Sequence, residues 1–186
     1  MEHIYESEKT FEKINSLPKG EYENCIFKNC NFENGDLKDI KFYDCQFINC
    51  NLSLVKIANT IFRDVKFSEC KMLGMSFESC NEYGLTVSFN NCNLNHSSFY
   101  KRKICKTKFA NSQLHEVDFT ECDLNNSQFN NCDLANTKFA NTNIEKADFR
   151  TSFNYSINLD LNKIKKAKFS LPAITGLLSH YDIEIE

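Results

Sequence analysis

Tryptophan is absent from this 186-residue chain, and glycine and proline are scarce at 5 and 2 residues. So few turn formers exclude an ordinary all-β domain built from tight hairpins. No segment approaches the roughly 20 apolar residues that cross a bilayer, which excludes a membrane helix. The run Met1–Glu8 has no basic stretch followed by an apolar one, so no secretory leader is expected and the cytoplasm is the default compartment. A net charge of −3 lacks the basic excess of a free-standing nucleic-acid binder. Phosphate loops, nucleophile elbows and zinc-protease motifs are missing too, so neither catalysis nor a cofactor is expected.

What the chain does have is 17 Phe, 10 Cys and much Asn. Large apolar residues recur every five positions: Tyr22, Phe27, Phe32, Leu37, Phe42 and onward to Phe77, then, after a slip, from Phe89 to Phe149. Two residues before most centres stands a small side chain, as at Cys25, Cys30, Gly35, Cys45, Ser97, Ser112 and Ala147. A period of five fits neither helix nor strand and requires a turn in every unit. A second period is four units long. Phe27, Phe47, Phe67, Phe89, Phe109, Phe129, Phe149 and Phe169 form one series, and Cys30, Cys50, Cys70, Cys92, Ser112 and Cys132 another. Both contain the same two-residue slip near Glu82. The expected fold is therefore all-β: a right-handed, four-sided parallel β-helix over residues 20–171, with coils rising by about 4.8 Å. Large and small inward residues alternate to fill a narrow interior. Asn, at Asn24, Asn29, Asn34, Asn111, Asn131 and Asn141, closes the corners that glycine would otherwise serve. Residues 1–19 are expected to cap the first coil through Tyr5, Phe11, Ile14 and Leu17. Residues 172–186 read as a short helix, with Pro172 in its first turn, and an alternating tail, Asp182–Glu186.

Nine cysteines fall at the small inward position and Cys105 does not, so they are expected to be core fillers and free thiols. No cysteine or histidine spacing suits a metal. His96 and His115 lie on one side in adjacent coils without a nucleophile, and are expected to be solvated. Arg102 falls at an inward position, where an unpaired charge is costly, so a local bulge turning it outward is expected. Lys101–Lys106 adjoins the insertion Asn81–Thr86. Glu82, Tyr83, Arg102 and Lys103 are accordingly candidate partner contacts.

The units CNFEN (30–34), GDLKD (35–39), VDFTE (117–121), CDLNN (122–126), CDLAN (132–136) and ADFRT (147–151) resemble the pentapeptide-repeat family, whose consensus is roughly Ala-(Asp/Asn)-Leu-X-X. In length, mid-chain register switch and C-terminal ending the chain is most similar to the quinolone-resistance (Qnr-type) branch. That resemblance implies a homodimer joined at its C-terminal ends through Ile174, Leu177, Leu178 and Ile183. It also implies binding to a type II topoisomerase (DNA gyrase or topoisomerase IV), at least partly by imitating duplex DNA. Glu116, Asp118, Glu121, Asp123 and Asp133 supply a modest acidic patch for such a partner. Opposing it, one side carries Arg102, Lys103 and Lys106, then Lys163, Lys165 and Lys166. The alternative is a protein-interaction scaffold with another partner.

Overall fold

In the computed structural model, which describes residues 4–181 and 183–184, each five-residue unit turns the chain through one corner. The residue two beyond nearly every centre adopts left-handed backbone, with φ of 51° at Asn24, 54° at Asn29 and Asn34 and 59° at Asp39. Asn and Asp tolerate that region better than most residues. The same residue types stand just before many centres. There the side-chain oxygen accepts the backbone N–H two residues on, from Lys38 to Asp36 at 2.9 Å and from Thr120 to Asp118 at 2.8 Å. Local side-chain chemistry thus does the work usually given to glycine and proline.

Strands form on two of the four sides: β1 (Ile4–Ser7), β2 (Thr10–Glu12), β3 (Gly20–Glu23), β4 (Ile26–Lys28), β5 (Lys41–Tyr43), β6 (Gln46–Ile48), β7 (Ile61–Arg63), β8 (Val65–Ser68), β9 (Val87–Asn90), β10 (Lys108–Ala110) and β11 (Gln128–Asn130). β1, β3, β5 and β7 stack as one parallel sheet, and the remaining strands as a second, longer one. Pairing joins Phe27 to Phe47 and Phe89 to Phe109, 20 residues apart, and Phe67 to Phe89, 22 apart, across the insertion. The other sides are tied by single parallel bridges, such as Asn31 to Asn51 and Asn51 to Lys71. The fold is the expected parallel β-helix.

Its core is a column of stacked rings. Successive members from Phe27 to Phe169 lie with centroids 4.6–5.4 Å apart. A second column, Tyr22, Phe42 and Phe62, ends where β7 ends. The rings resume on another side with Phe77, Phe99, Phe119 and Phe139, and a tilted Phe62–Phe77 contact at 6.3 Å marks the handover. Ile104, Leu124 and Ile144 fill the vacated side. The interior keeps two ring columns throughout, because its width admits no more without voids elsewhere.

The small inward positions do more than fill space. Their Ser, Thr and Cys side chains donate to carbonyls of the preceding coil: Thr60 to Leu37 at 2.7 Å, Thr142 to Phe119 at 2.8 Å, Cys45 to Tyr22 at 3.3 Å.

Both ends depart from the sequence-based expectation in detail. Phe11 stacks on Phe27 at 5.2 Å and Leu17 is buried, so the N-terminal segment continues the coil. Tyr5 is no apolar anchor: it is 61 % exposed, and its hydroxyl donates to Glu23. Met1–His3 lie outside the described residues. At the other end a 3-10 turn, Leu171–Ala173, leads into α1 (Thr175–Leu178). Gly176 donates no side chain here for a reason: a Cβ at that position would overlap the carbonyl oxygen of Tyr155. Of the tail, Asp182, Ile185 and Glu186 lie outside the described residues.

One corner is poorly matched to its residue. Leu54 holds a φ of 54° with its side chain 58 % exposed. Leu54→Asn is expected to stabilise the fold by about 1 kcal/mol, relieving the left-handed strain without removing core. Thermal unfolding should then shift upward by about 2–4 °C. An unchanged or lower midpoint would contradict this account of the corners.

Candidate functional site

The insertion is built around a refilled core position. After the 3-10 turn Phe77–Ser79, the chain passes through Asn81, Glu82 and Tyr83 to Gly84, whose φ of 74° bends it back. Leu85 then plugs the interior at 5 % exposure, while Tyr83 stands 75 % exposed at the tip. Thr86 re-enters the ladder by donating its N–H to Phe62 and accepting that of Val65.

Arg102 corrects the sequence-based expectation. No bulge forms: the Arg102 N–H donates to Phe99, and its carbonyl accepts from Asp123, as in a regular coil. The side chain stays inward and only 18 % exposed. Its Nη2 donates to the Glu78 carbonyl, and Nη1 lies 3.7 Å from the Glu82 carboxylate. The 3-10 turn supplies one hydrogen-bond acceptor and the insertion a nearby carboxylate, so the charge is partly met although its buried Nε has no partner among the described residues. Glu82, Tyr83, Leu85, Lys101, Arg102 and Lys103 together line one concavity, so the expected juxtaposition of insertion and basic segment is present.

The acidic residues are distributed differently. Asp118, Asp123 and Asp133 pair with different neighbours on three different sides, and Glu116 and Glu121 occupy corners. They encircle the girth instead of lining one face. Asp118, Asp123 and Asp133 each accept a backbone N–H two residues on. Glu116 lies 3.3 Å from His96, Glu121 3.6 Å from Lys101, and Asp133 2.8 Å from His115. Burial opposes ionisation of Asp133, but hydrogen bonds from Asn154 and His115 outweigh it and hold its carboxyl below the usual range. Its stabilising contribution is therefore present at neutral pH and lost as pH falls through that depressed value.

Of the ten cysteines, nine are buried and Cys105 is half-buried, and none is paired in a disulfide. Burial pushes the Cys45 and Cys122 thiols up to about 12, and those of Cys80 and Cys132 to about 11. Burial and the neighbouring Asp123 also raise Cys105. In a native-state alkylation assay at neutral pH, one thiol per chain should react, slowly, and the rest only on unfolding. Rapid native labelling of a second cysteine would contradict the packing described. Among the described residues no His, Cys, Asp or Glu cluster converges as a metal site would, and no helix is long and apolar enough to cross a membrane.

The C-terminal end exposes Leu171 at 83 %, Ile174 at 42 % and Ile183 at 55 %. Leu178 is half-buried. Leu177 differs: it is 6 % exposed and joins the core of its own chain, so it closes the last coil and offers little surface to a partner. Sequence reasoning missed Leu171, because its apolar side chain reads as the end of the repeat when it in fact points outward.

No curated protein matches this sequence. Among solved structures, two trypsin-treated variants of QnrB1, a plasmid-mediated fluoroquinolone resistance protein, align at 16 % identity. One has a TM-score of 0.65 and covers 99 % of this chain and 98 % of its own; the other has 0.64 and covers 100 % of each. HetL, a pentapeptide repeat protein involved in heterocyst differentiation regulation in the cyanobacterium Nostoc sp. strain PCC 7120, aligns at 14 % identity and a TM-score of 0.69, covering 91 % of this chain and 87 % of its own. The family model described as the pentapeptide repeat region matches residues 21–86 and 76–152. With the repeat visible in sequence, the β-helix in structure and this match over most of its length, the chain belongs to the pentapeptide-repeat family.

Proposed function

We propose that the chain acts without catalysis, as a rigid protein-docking rod in the cytoplasm that pairs with a second copy through its C-terminal end. The observation that carries this is the exposed apolar end of the rod, where the side chains of Leu171, Ile174 and Ile183 stand open to solvent at the C-terminal helix. An open β-helix end offers unpaired backbone and apolar surface, and an isologous contact covers both. The solid, ring-filled interior leaves no enclosed ligand chamber and favours surface recognition.

Within this reading, a type II topoisomerase is the first partner to test. The match of this whole chain to the fold of trypsin-treated QnrB1 supports that choice. The encirclement of the girth by Glu116, Asp118, Glu121, Asp123 and Asp133 favours contact through a local surface over imitation of a whole duplex. A local surface is available at the insertion, where Glu82, Tyr83, Arg102 and Lys103 meet.

Light scattering of the purified chain should give a dimer, and Leu171→Glu with Ile174→Glu a folded monomer. A monomeric wild type would remove the pairing. In DNA gyrase supercoiling with a fluoroquinolone, rescue or direct inhibition by the dimer would support the topoisomerase assignment. An intact dimer without effect would leave the docking rod and reassign its partner.

A further inference from the structure

We propose that the long edge of the β-helix bearing Lys106, Lys146 and Lys166 docks an acidic protein segment, a reading that rests on the protein-docking role above and supplies the chemistry of the partner. The repeat itself builds this edge. Lys106, Asn126, Lys146 and Lys166 occupy successive copies of one corner, with φ of 58–62°, so their side chains leave the rod in the same direction. On one flank, β8, β9 and β10 align Lys66, Ser88 and Lys108. On the other, bridges align Lys103, Asp123, Asn143 and Lys163.

These lysines are exposed. Among the described residues, none of Lys66, Lys106, Lys108, Lys146, Lys163 and Lys166 lies within ion-pair distance of a carboxylate. Some basic residues elsewhere on the rod are neutralised, as where Lys19 pairs with Asp39, Lys41 with Glu21 and Lys101 with Glu121, and what sets this edge apart is the alignment of its unpaired lysines. Lys106 and Lys146 are two coils apart, about 10 Å along the axis. Like charges at that spacing repel only weakly across water, so the fold tolerates them. They still form a positive field along one edge of a chain whose net charge is negative.

The same edge is indented. Lys66, Lys106 and Asp64 rim a hollow floored by Val65, Val87 and Ser88 and closed by Thr107. Its methyl groups and hydroxyls suit an apolar or small polar side chain, and because Asp64 stands at the rim the carboxylates of the segment meet Lys106, Lys146 and Lys166 along the edge. Nucleic acid fits less well. From Lys103 to Lys168 these columns present no aromatic ring on which a base could stack.

The test uses the full chain and a short fluorescein-labelled peptide that alternates glutamate and alanine around a central leucine, followed by anisotropy at low ionic strength. Wild type should bind it, with affinity falling steeply as salt rises, and should not bind the lysine counterpart. Lys106→Glu/Lys146→Glu/Lys166→Glu should weaken binding at least about tenfold. Ser88→Tyr, which fills the hollow, should weaken it as well, while Glu116→Gln on the acidic girth should not. If the triple variant fails to fold, Lys108→Glu and the wild-type salt dependence decide the matter. No binding by wild type, equal binding by the charge-reversed protein, or tighter binding of a DNA duplex than of the peptide would overturn the proposal. Light scattering of the same samples separates the two readings: an intact dimer without peptide binding removes the acidic segment alone.

Discussion

Phe89→Ala is expected to destabilise the protein by about 3–5 kcal/mol, more than any surface change considered above. Phe89 sits at the crossing of both aromatic columns. It stacks on Phe67 at 5.4 Å and Phe109 at 5.1 Å, and meets Phe77 at 5.8 Å and Phe99 at 6.0 Å through their edges. Alanine removes those contacts, and the coils cannot collapse into the void because backbone ladders on every side hold their spacing. Since a solenoid is stabilised coil against coil, a defect there also uncouples its two halves. Equilibrium denaturation should show a lower midpoint and a broadened or split transition. Phe89→Leu should recover much of the loss. A single sharp transition within about 1 kcal/mol of wild type would mean that the ring columns are not what joins the halves.

Arg102→Glu is the second change with a large expected effect, about 2–4 kcal/mol, below the cost of breaking a fully buried pair because the side chain keeps some solvent. The new carboxylate would face the Glu78 carbonyl, which now accepts from the guanidinium, and the Glu82 carboxylate, which lies 3.7 Å from it. The insertion should loosen first, so limited proteolysis near Tyr83 ought to accelerate before global unfolding is affected. Arg102→Lys keeps the charge but loses the fork that reaches toward both groups, and should fall between. Proteolysis unchanged in Arg102→Glu would show that the insertion is held by Leu85 and Thr86 alone.

The two predictions also mark where sequence reading was strong and where it stopped. The Phe27–Phe169 column was legible because one side chain recurs at a fixed interval, and stacking identical residues in parallel register admits one geometry. The cysteines were legible for a related reason: a position repeated beside each large residue must be small. Arg102 was misread because the repeat rule scores it as a violation. The groups it meets come from the 3-10 turn at Phe77–Ser79 and the insertion, neither of which has a periodic signature. The acidic residues were identified correctly as outward but were gathered into one patch. In the structure they fall on three sides and two corners over two adjacent coils.

By itself the sequence determined the four-sided coil, its large and small interior layers, the corner residues, the place of the slip and the family, because each is written as a period in the chain. The tertiary structure alone decided what has no period. It moved the second ring column from the Phe62 side to the Phe77 side, since the extra residues there change which side meets the open volume. It turned Leu177 inward to close the last coil and left Leu171 outward, a choice set by the close approach of Gly176 to Tyr155.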